Sequence, residues 1–405
     1  MQKVNWVYNY LADRLVLYSQ RYGRRGWLVF LLLFTLIVAL MLGTGANSKP
    51  DFKVTEIRGV WLTNVDSDVL FSKGKLRRSI DTLSNLHFNT LYPTVWNWGH
   101  TLYPSGVAES YFGVKIDPAE GLQNRDTLKE IIDRAHRDKM RVIPWFEFGF
   151  MLPSDAKLTR KYPRWLTQRQ DKSTIWWEGK VHQRVWLNPI HPEVQGFITA
   201  LVQEIVSKYD IDGIQFDDHF GYPVDFGYDD YTVKLYQNEH NGQSPPDDFN
   251  DKDWIQWRAD KITAYMTDLF HAIKAKNSKV IVSLSPNPQK FSLESFLLDW
   301  DKWREIGLVE ELIVQLYRND MSAYDWELSQ PELQKAKGHI PTAVGILSGL
   351  KGSPVPMQQI VTQVGKARDG GFGGVSFFFY ESLWNFGTET PDYRQNAFKK
   401  LMKPV

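Results

Sequence analysis

Between residue 55 and the C-terminus, eight short apolar runs alternate with longer helical patterns, and this alternation constrains the possible fold more than any other feature of the chain. The runs are 58–63, 90–96, 141–147, 213–217, 280–285, 312–317, 342–347 and 374–380. Parallel strands need long crossovers, which helices supply, so eight βα units predict an α/β fold of the (β/α)8 or TIM-barrel type. Apolar residues three and four apart predict one helix opening at Asn124 and carrying Leu128, Ile131, Ile132 and Ala135, and others over 192–209 and 257–276. An open doubly wound sheet is the alternative. It would call for a glycine-rich phosphate loop after the first run, and Arg58-Gly-Val-Trp-Leu-Thr-Asn64 has none.

Residues 27–42 form an unbroken apolar run that spans roughly 24 Å as a helix. Lys3, Arg14, Arg21, Arg24 and Arg25 precede it against a single Asp13, a bias that keeps an N-terminus in the cytoplasm. The expected organisation is therefore a basic cytoplasmic segment (1–25), a transmembrane signal anchor (26–43), a linker (44–55) and an exported barrel (56–405). A cleaved signal peptide, with Thr44-Gly-Ala46 as its cleavage region, is the competing reading, but the leading segment is long for one. A buried soluble helix would need a polar face that this run lacks.

Formal net charge is +1 and cysteine is absent, so composition predicts no nucleic-acid partner and excludes both a disulfide scaffold and thiol chemistry. Without a P-loop, a G-x-S-x-G elbow or an H-E-x-x-H motif, the remaining chemistry rests on carboxyl groups at the strand ends. In 210–223, alternation sends Ile214 and Phe216 to one face and Gln215 and Asp217 to the other, with Asp217 at the C-terminal mouth. Asp218 follows it, Glu147 ends the third run in an apolar setting, and Glu381 follows the eighth.

Glycoside hydrolysis needs one ionised and one protonated carboxyl across a bond. We assign Asp217 as nucleophile or base, Glu147 as acid, Asp218 as support and Glu381 as reserve acid. A loop or capping carboxylate is the plain alternative for the Asp pair, and a salt bridge for Glu147. Asn64, Tyr92, Trp96, Trp98, Asn188, His191, Gln215, Ser285, Asn287, Gln315, Tyr317 and Trp384 are candidate sugar contacts, since pyranoses offer stacking faces and hydroxyls. A metal on Asp217-Asp-His219 is the sharp alternative, but consecutive strand residues splay apart, so neither metal nor cofactor is expected. The long connections 148–191 and 219–254 leave the same mouth and should form a cleft or lid.

Several segments together resemble the family 10 glycosyl-hydrolase-like proteins, a bacterial group that includes a glycosidase of peptide-stripped peptidoglycan. They are Arg58-Gly-Val-Trp-Leu-Thr63, Leu102-Tyr-Pro-Ser105, Leu187-Asn-Pro189 with His191-Pro-Glu-Val194, Tyr209-Asp-Ile-Asp-Gly-Ile-Gln-Phe-Asp-Asp218, Ser285-Pro286 and Gln315-Leu-Tyr317. The resemblance implies a (β/α)8 fold, export and glycoside hydrolysis, with Asp217 and Asp218 on the family's acidic motif. Leu91-Tyr-Pro-Thr-Val-Trp96 and Phe146-Glu-Phe-Gly-Phe150 depart from its pattern, removing arginines and adding a carboxylate. A polysaccharide is the expected substrate, peptidoglycan glycan or another cell-envelope polymer. A non-catalytic glycan-binding barrel and a metal-dependent deacetylase are the other readings.

Overall fold

The computed structural model describes residues 55–404. The expected segment 1–25 and anchor 26–43, with all but the end of the linker 44–55, lie outside the described residues. Among the described residues, no helix is long and apolar enough to cross a membrane.

The main sheet of this α/β fold is parallel and curled. Its strands are β1 (Ile57–Leu62), β2 (Thr90–Pro93), β3 in two pieces (Arg141–Val142 and Trp145–Phe146), β4 (Gly213–Asp217), β5 (Ile281–Ser285), β6 (Glu311–Gln315), β7 (Thr342–Leu347) and β8 (Gly374–Phe378). From edge to edge they run β3 (first piece), β2, β1, β8, β7, β6, β5, β4 and β3 (second piece), so both edges lie on segment 141–146. The break falls at Ile143-Pro144. Ile143 N–H donates to Leu91 O at 2.9 Å, whereas Pro144 has no N–H and only accepts, from Gln215 N at 2.8 Å. The first piece is in register with β2 and the second with β4, Gln215 lying opposite Trp145, while Asp212 N to Val142 O and Val95 N to Trp145 O carry bonding to the other neighbour across Pro144.

Strand alternation divides the side chains. Leu91, Phe146, Ile214, Phe216, Val282 and Val344 join the main core with the covering helices, whereas Trp61, Tyr92, Ile143, Trp145, Ile313 and Ala343 form a separate cluster on the enclosed face. Glycine is required at position 59, where a Cβ would lie 2.7 Å from the Tyr92 ring and 2.8 Å from Ser376 Oγ. Below the strand mouths, Glu311 accepts from Arg141 Nη2 at 2.8 Å, Tyr92 Oη at 3.0 Å and Ser283 Oγ at 3.1 Å.

Two helix starts differ from the expected ones. Asn124 is left-handed (φ 58°), and the helix is Thr127–Ala135, capped by Asp126 accepting from Lys129 N. The helix expected from 257 begins five residues earlier, as Lys252–Lys276, because the Asp251 side chain accepts from Trp254 N. Connection 148–191 carries a three-stranded antiparallel sheet, Met151–Pro153, Trp176–Glu178 and His182–Trp186, and connection 219–254 carries the helix Asp230–Glu239.

Arg141 and Glu311 are nearly dry, with side chains 12% and 2% exposed. Arg141→Met should therefore lower the unfolding free energy in a denaturant titration by about 3–5 kcal/mol, because it strands a buried carboxylate. A loss under about 1 kcal/mol would show that water already solvates the pair.

Candidate active site

Strand β4 carries Gln215 and Asp217 to the enclosed face, then stops. The chain tightens into a 3-10 turn, Asp218–Phe220, whose first free N–H, that of His219, donates to Asp217 Oδ1 at 3.2 Å. On its other side, Asp217 Oδ2 accepts from Trp145 Nε1 at 2.9 Å. His219 Nδ1 lies 3.0 Å from Asp217 Oδ1 and 2.9 Å from the Glu147 carbonyl. A carbonyl only accepts, so Nδ1 carries a proton. Gly149 (φ 50°) lets the chain leaving β3 press against this turn, since a Cβ there would sit 2.4 Å from His219 O.

Glu147 enters from the end of β3, 6% exposed. Thr63 Oγ1 donates to its Oε2 at 2.7 Å, Thr94 Oγ1 at 2.8 Å and Asn97 Nδ2 at 2.9 Å. Burial outweighs these bonds and the nearby His219 charge, and pushes the carboxyl up to about 7. Near neutral pH it holds its proton about half the time.

Asp217 is raised well above the usual carboxylate range by burial first and the Asp218 charge second. For Asp218, burial pulls upward, but the His219 charge and the hydrogen bonds from Asp217 and Asn287 outweigh it and the net direction is down. The two carboxyls titrate as a pair, with ionisation favoured at Asp218 over Asp217. Burial alone would lower His219, yet Asp218 and Asp217 push it up to about 10, making it an imidazolium. The expected division of labour gave the charge to Asp217 and a supporting role to Asp218, and these two directions run the other way. Asp218 is also the more open, with a side chain 20% exposed against 3% for Asp217.

Asp217, Asp218, Glu147 and His219 open on a cavity of about 900 Å3. Of the candidate sugar contacts, Trp98, Gln315 and Tyr317 line it. Tyr317 stacks on Phe378, ring centres 5.6 Å apart, and burial followed by the charges of Asp217, Asp218 and Glu147 raises its phenol, which stays an O–H donor. Asn287 is one step back, its Nδ2 donating to Asp218 Oδ2 at 2.6 Å, and Asn64 accepts from Asn97 at 2.8 Å.

The remaining candidates are placed elsewhere. Tyr92 bonds Glu311, and Gln215 accepts from Trp61 Nε1 at 2.7 Å beneath the site. Ser285 Oγ faces the Phe216 carbonyl. Trp96 leaves the sheet because β2 ends at Pro93, and it packs on Phe197. Asn188 donates to Asp229 and Thr232, and His191 caps the helix Pro192–Lys208. Trp384 packs on Phe398. Glu381, the expected reserve acid, is tied to Ser67 and to Lys75 Nζ at 3.1 Å, away from the cavity lining.

Sequence reasoning missed Thr63, Thr94 and Asn97 around Glu147, Trp145 over Asp217, and the far wall formed by Glu178, His182, Arg184 and Asp117. Alternation with Glu147 places Trp145 on the enclosed face but does not show its bond to Asp217. Glu178, His182 and Arg184 come from the antiparallel sheet inside a long connection and Asp117 from the connection between β2 and β3, and neither carries a local signature.

Among the described residues, the one grouping with metal-ligand geometry is Asp217, Asp218 and His219, whose ligand-type atoms lie within 4.8 Å of one another. The expectation that they splay apart is corrected here, since the strand ends at Asp217 and the turn gathers them. The proton on Nδ1 nevertheless occupies the lone pair a metal would need at that nitrogen.

Residues 56–364 match the family described as glycosyl hydrolase-like 10. The glycosyl hydrolase DigH of Escherichia coli K12 is 25% identical over 321 residues, 67% of this chain and 69% of that protein. The glycosyl hydrolase YngK of Bacillus subtilis 168 is 22% identical over 275 residues, 62% of this chain and 49% of that protein. In fold, the chain is similar to the PgaB (BpsB) glycoside hydrolase domain of Bordetella bronchiseptica, with TM-score 0.64, 14% identity, and coverage of 87% of this chain and 99% of that one.

Because Glu147 moves from an ordinary 4.5 to about 7 on folding, the unfolded chain releases this proton first, and stability falls as pH rises through that window. Glu147→Gln should therefore gain about 3 kcal/mol relative to wild type between pH 4 and pH 8, read by chemical denaturation at each pH. A constant difference would mean that Glu147 ionises normally.

Proposed function

The chain belongs to the glycosyl hydrolase-like 10 family and is a glycoside hydrolase, and from that premise we propose that it cleaves a cell-envelope polysaccharide within a (β/α)8 barrel. One observation carries this reading: a carboxylic acid balanced near neutral pH, Glu147, and an ionised carboxylate, Asp218, open on the same cavity, beside the Tyr317 and Phe378 rings. In this mechanism Glu147 protonates the departing glycosidic oxygen. Asp218 stabilises or attacks the oxocarbenium-like carbon.

Asp217 holds the dyad's proton and fixes Asp218, while His219 balances the remaining charge. Tyr317 donates its O–H to the sugar. The apolar run at 27–42 supports a signal anchor over 26–43 that leaves the domain 56–405 outside the cytoplasm, where envelope polymers lie. Peptide-free peptidoglycan glycan is the first substrate to test, and other envelope polysaccharides follow.

The full chain should release reducing ends from one of these polymers, whereas Asp218→Asn and Asp217→Asn should each retain under about a hundredth of that rate. Retention above about a tenth in Asp218→Asn would remove it from the chemistry. Glu147→Gln should recover on substrates with an activated leaving group, which need no acid. Tight binding of the polymer with no release would identify a glycan-binding protein instead.

A further inference from the structure

The hydrogen bonds that reach the Glu147 carboxyl are divided unequally between its two oxygens. Oε2 accepts from Thr63 Oγ1 at 2.7 Å, Thr94 Oγ1 at 2.8 Å and Asn97 Nδ2 at 2.9 Å. Oε1 accepts only from Thr63, at 2.9 Å, and shares that hydroxyl with Oε2.

The donors differ in kind. A threonine hydroxyl turns to donate or to accept, so Thr63 and Thr94 suit a proton on either oxygen, whereas an amide nitrogen only donates. Asn97 is fully buried on the hairpin formed by Trp96–Asn97 and His100–Thr101, and its neighbours allow its amide one orientation. Its Oδ1 accepts at 2.8 Å from the main-chain N–H of Trp98, a group that can only donate. Nδ2 therefore lies on the other side, where its two protons go to Glu147 Oε2 and, at 2.8 Å, to Asn64 Oδ1. Turning the amide over would set oxygen against both of those oxygens and N–H against N–H.

In a carboxylic acid the O–H oxygen spends its proton on donating and accepts less readily than the C=O oxygen. An obligatory donor at Oε2 therefore favours the proton at Oε1. We propose that Asn97 is a positioning residue: by holding Oε2 as the accepting oxygen, it keeps on Oε1 the proton that Glu147 gives to the leaving group. The use of that proton rests on the acid role given to Glu147 above, whereas the hold of Asn97 on the carboxyl does not.

The same bond stabilises the ionised form, so its loss moves the Glu147 titration upward. The other titratable groups about this carboxyl stay in place when Asn97 is changed: His219 in the turn after β4 with Asp217 and Asp218 beside it, Tyr317 after β6, and His100 on the hairpin of Asn97.

The test follows this ionisation in the full chain. The change in stability made by Glu147→Gln is measured by chemical denaturation from about pH 4 to about pH 9, with Asn97 present and with Asn97→Leu, which keeps the volume and removes the donor. Glu147 is raised on folding, so stability falls as pH rises from its unfolded to its folded value, and the effect of Glu147→Gln levels off at the folded value, about 7. In the Asn97→Leu chain it should level off about one pH unit higher. If circular dichroism shows that Asn97→Leu does not fold, Asn97→Asp, which keeps an acceptor for Trp98 N–H, should move the levelling at least as far. On peptide-free peptidoglycan glycan strands, Asn97→Leu should lower kcat about tenfold, keep KM within about twofold and carry the alkaline limb of the rate upward in step. A residue that only supports the fold would leave both pH values where they were.

A levelling pH unmoved in a folded variant overturns the proposal, however active the chain is. So does a shift accompanied by an unchanged kcat, since the proton would then serve equally from either oxygen. A shift in a chain that leaves the strands uncut keeps the hold of Asn97 on the carboxyl and overturns only the acid role of Glu147 on this polymer.

Discussion

The charge on His219 is the constraint around which the site is organised. Three carboxyl groups, Glu147, Asp217 and Asp218, converge where water is scarce, and unpaired carboxylates cannot persist there. The imidazolium balances the charge favoured at Asp218, burial holds Asp217 toward its protonated form, and Glu147 titrates near neutral pH. Its Nδ1–H bridges Asp217 and the Glu147 main chain, while the ring lies against Phe148 and Trp186, each 5.8 Å away. The turn after β4 and the chain leaving β3 are thereby joined across the seam of the sheet.

The two edges of the sheet share segment 141–146, and main-chain bonds join it to both neighbours on either side of Pro144: Asp212 N to Val142 O and Gln215 N to Pro144 O towards β4, Ile143 N to Leu91 O and Val95 N to Trp145 O towards β2. Glu147 stands just past this junction, which lets it receive Thr63 from beyond β1, Thr94 from beyond β2 and Asn97 from a hairpin. An acid titrating near 7 thus requires four separate pieces of chain to be in place. None of its ligands is nearer than 50 residues in sequence.

Much of the architecture was legible because it rests on local rules. Side-chain alternation along Gly213–Asp217 placed Asp217 on the enclosed face, and Ile143, Trp145 and Glu147 followed the same rule. The errors came where a residue type has two common uses. Asn188 and His191 have the polarity of sugar ligands, but they serve Asp229 and a helix N-terminus. Trp96 continues an apolar run, but the strand ends three residues before it and the ring turns into the core. Pro93 before Trp96 and Pro192 after His191 are local signs of a strand end and a helix start, whereas nothing near Asn188 marks its pairing with Asp229.

The sequence by itself determined the βα alternation, which residues of a strand share a face and the adjacency of Asp217, Asp218 and His219, because periodicity and covalent neighbourhood need no tertiary context. Only the tertiary structure decided which carboxyl carries the charge. Ionisation depends on burial and on partners brought from distant segments: His219 and an asparagine 69 residues away favour it at Asp218, while burial and the Asp218 charge disfavour it at Asp217, one residue earlier.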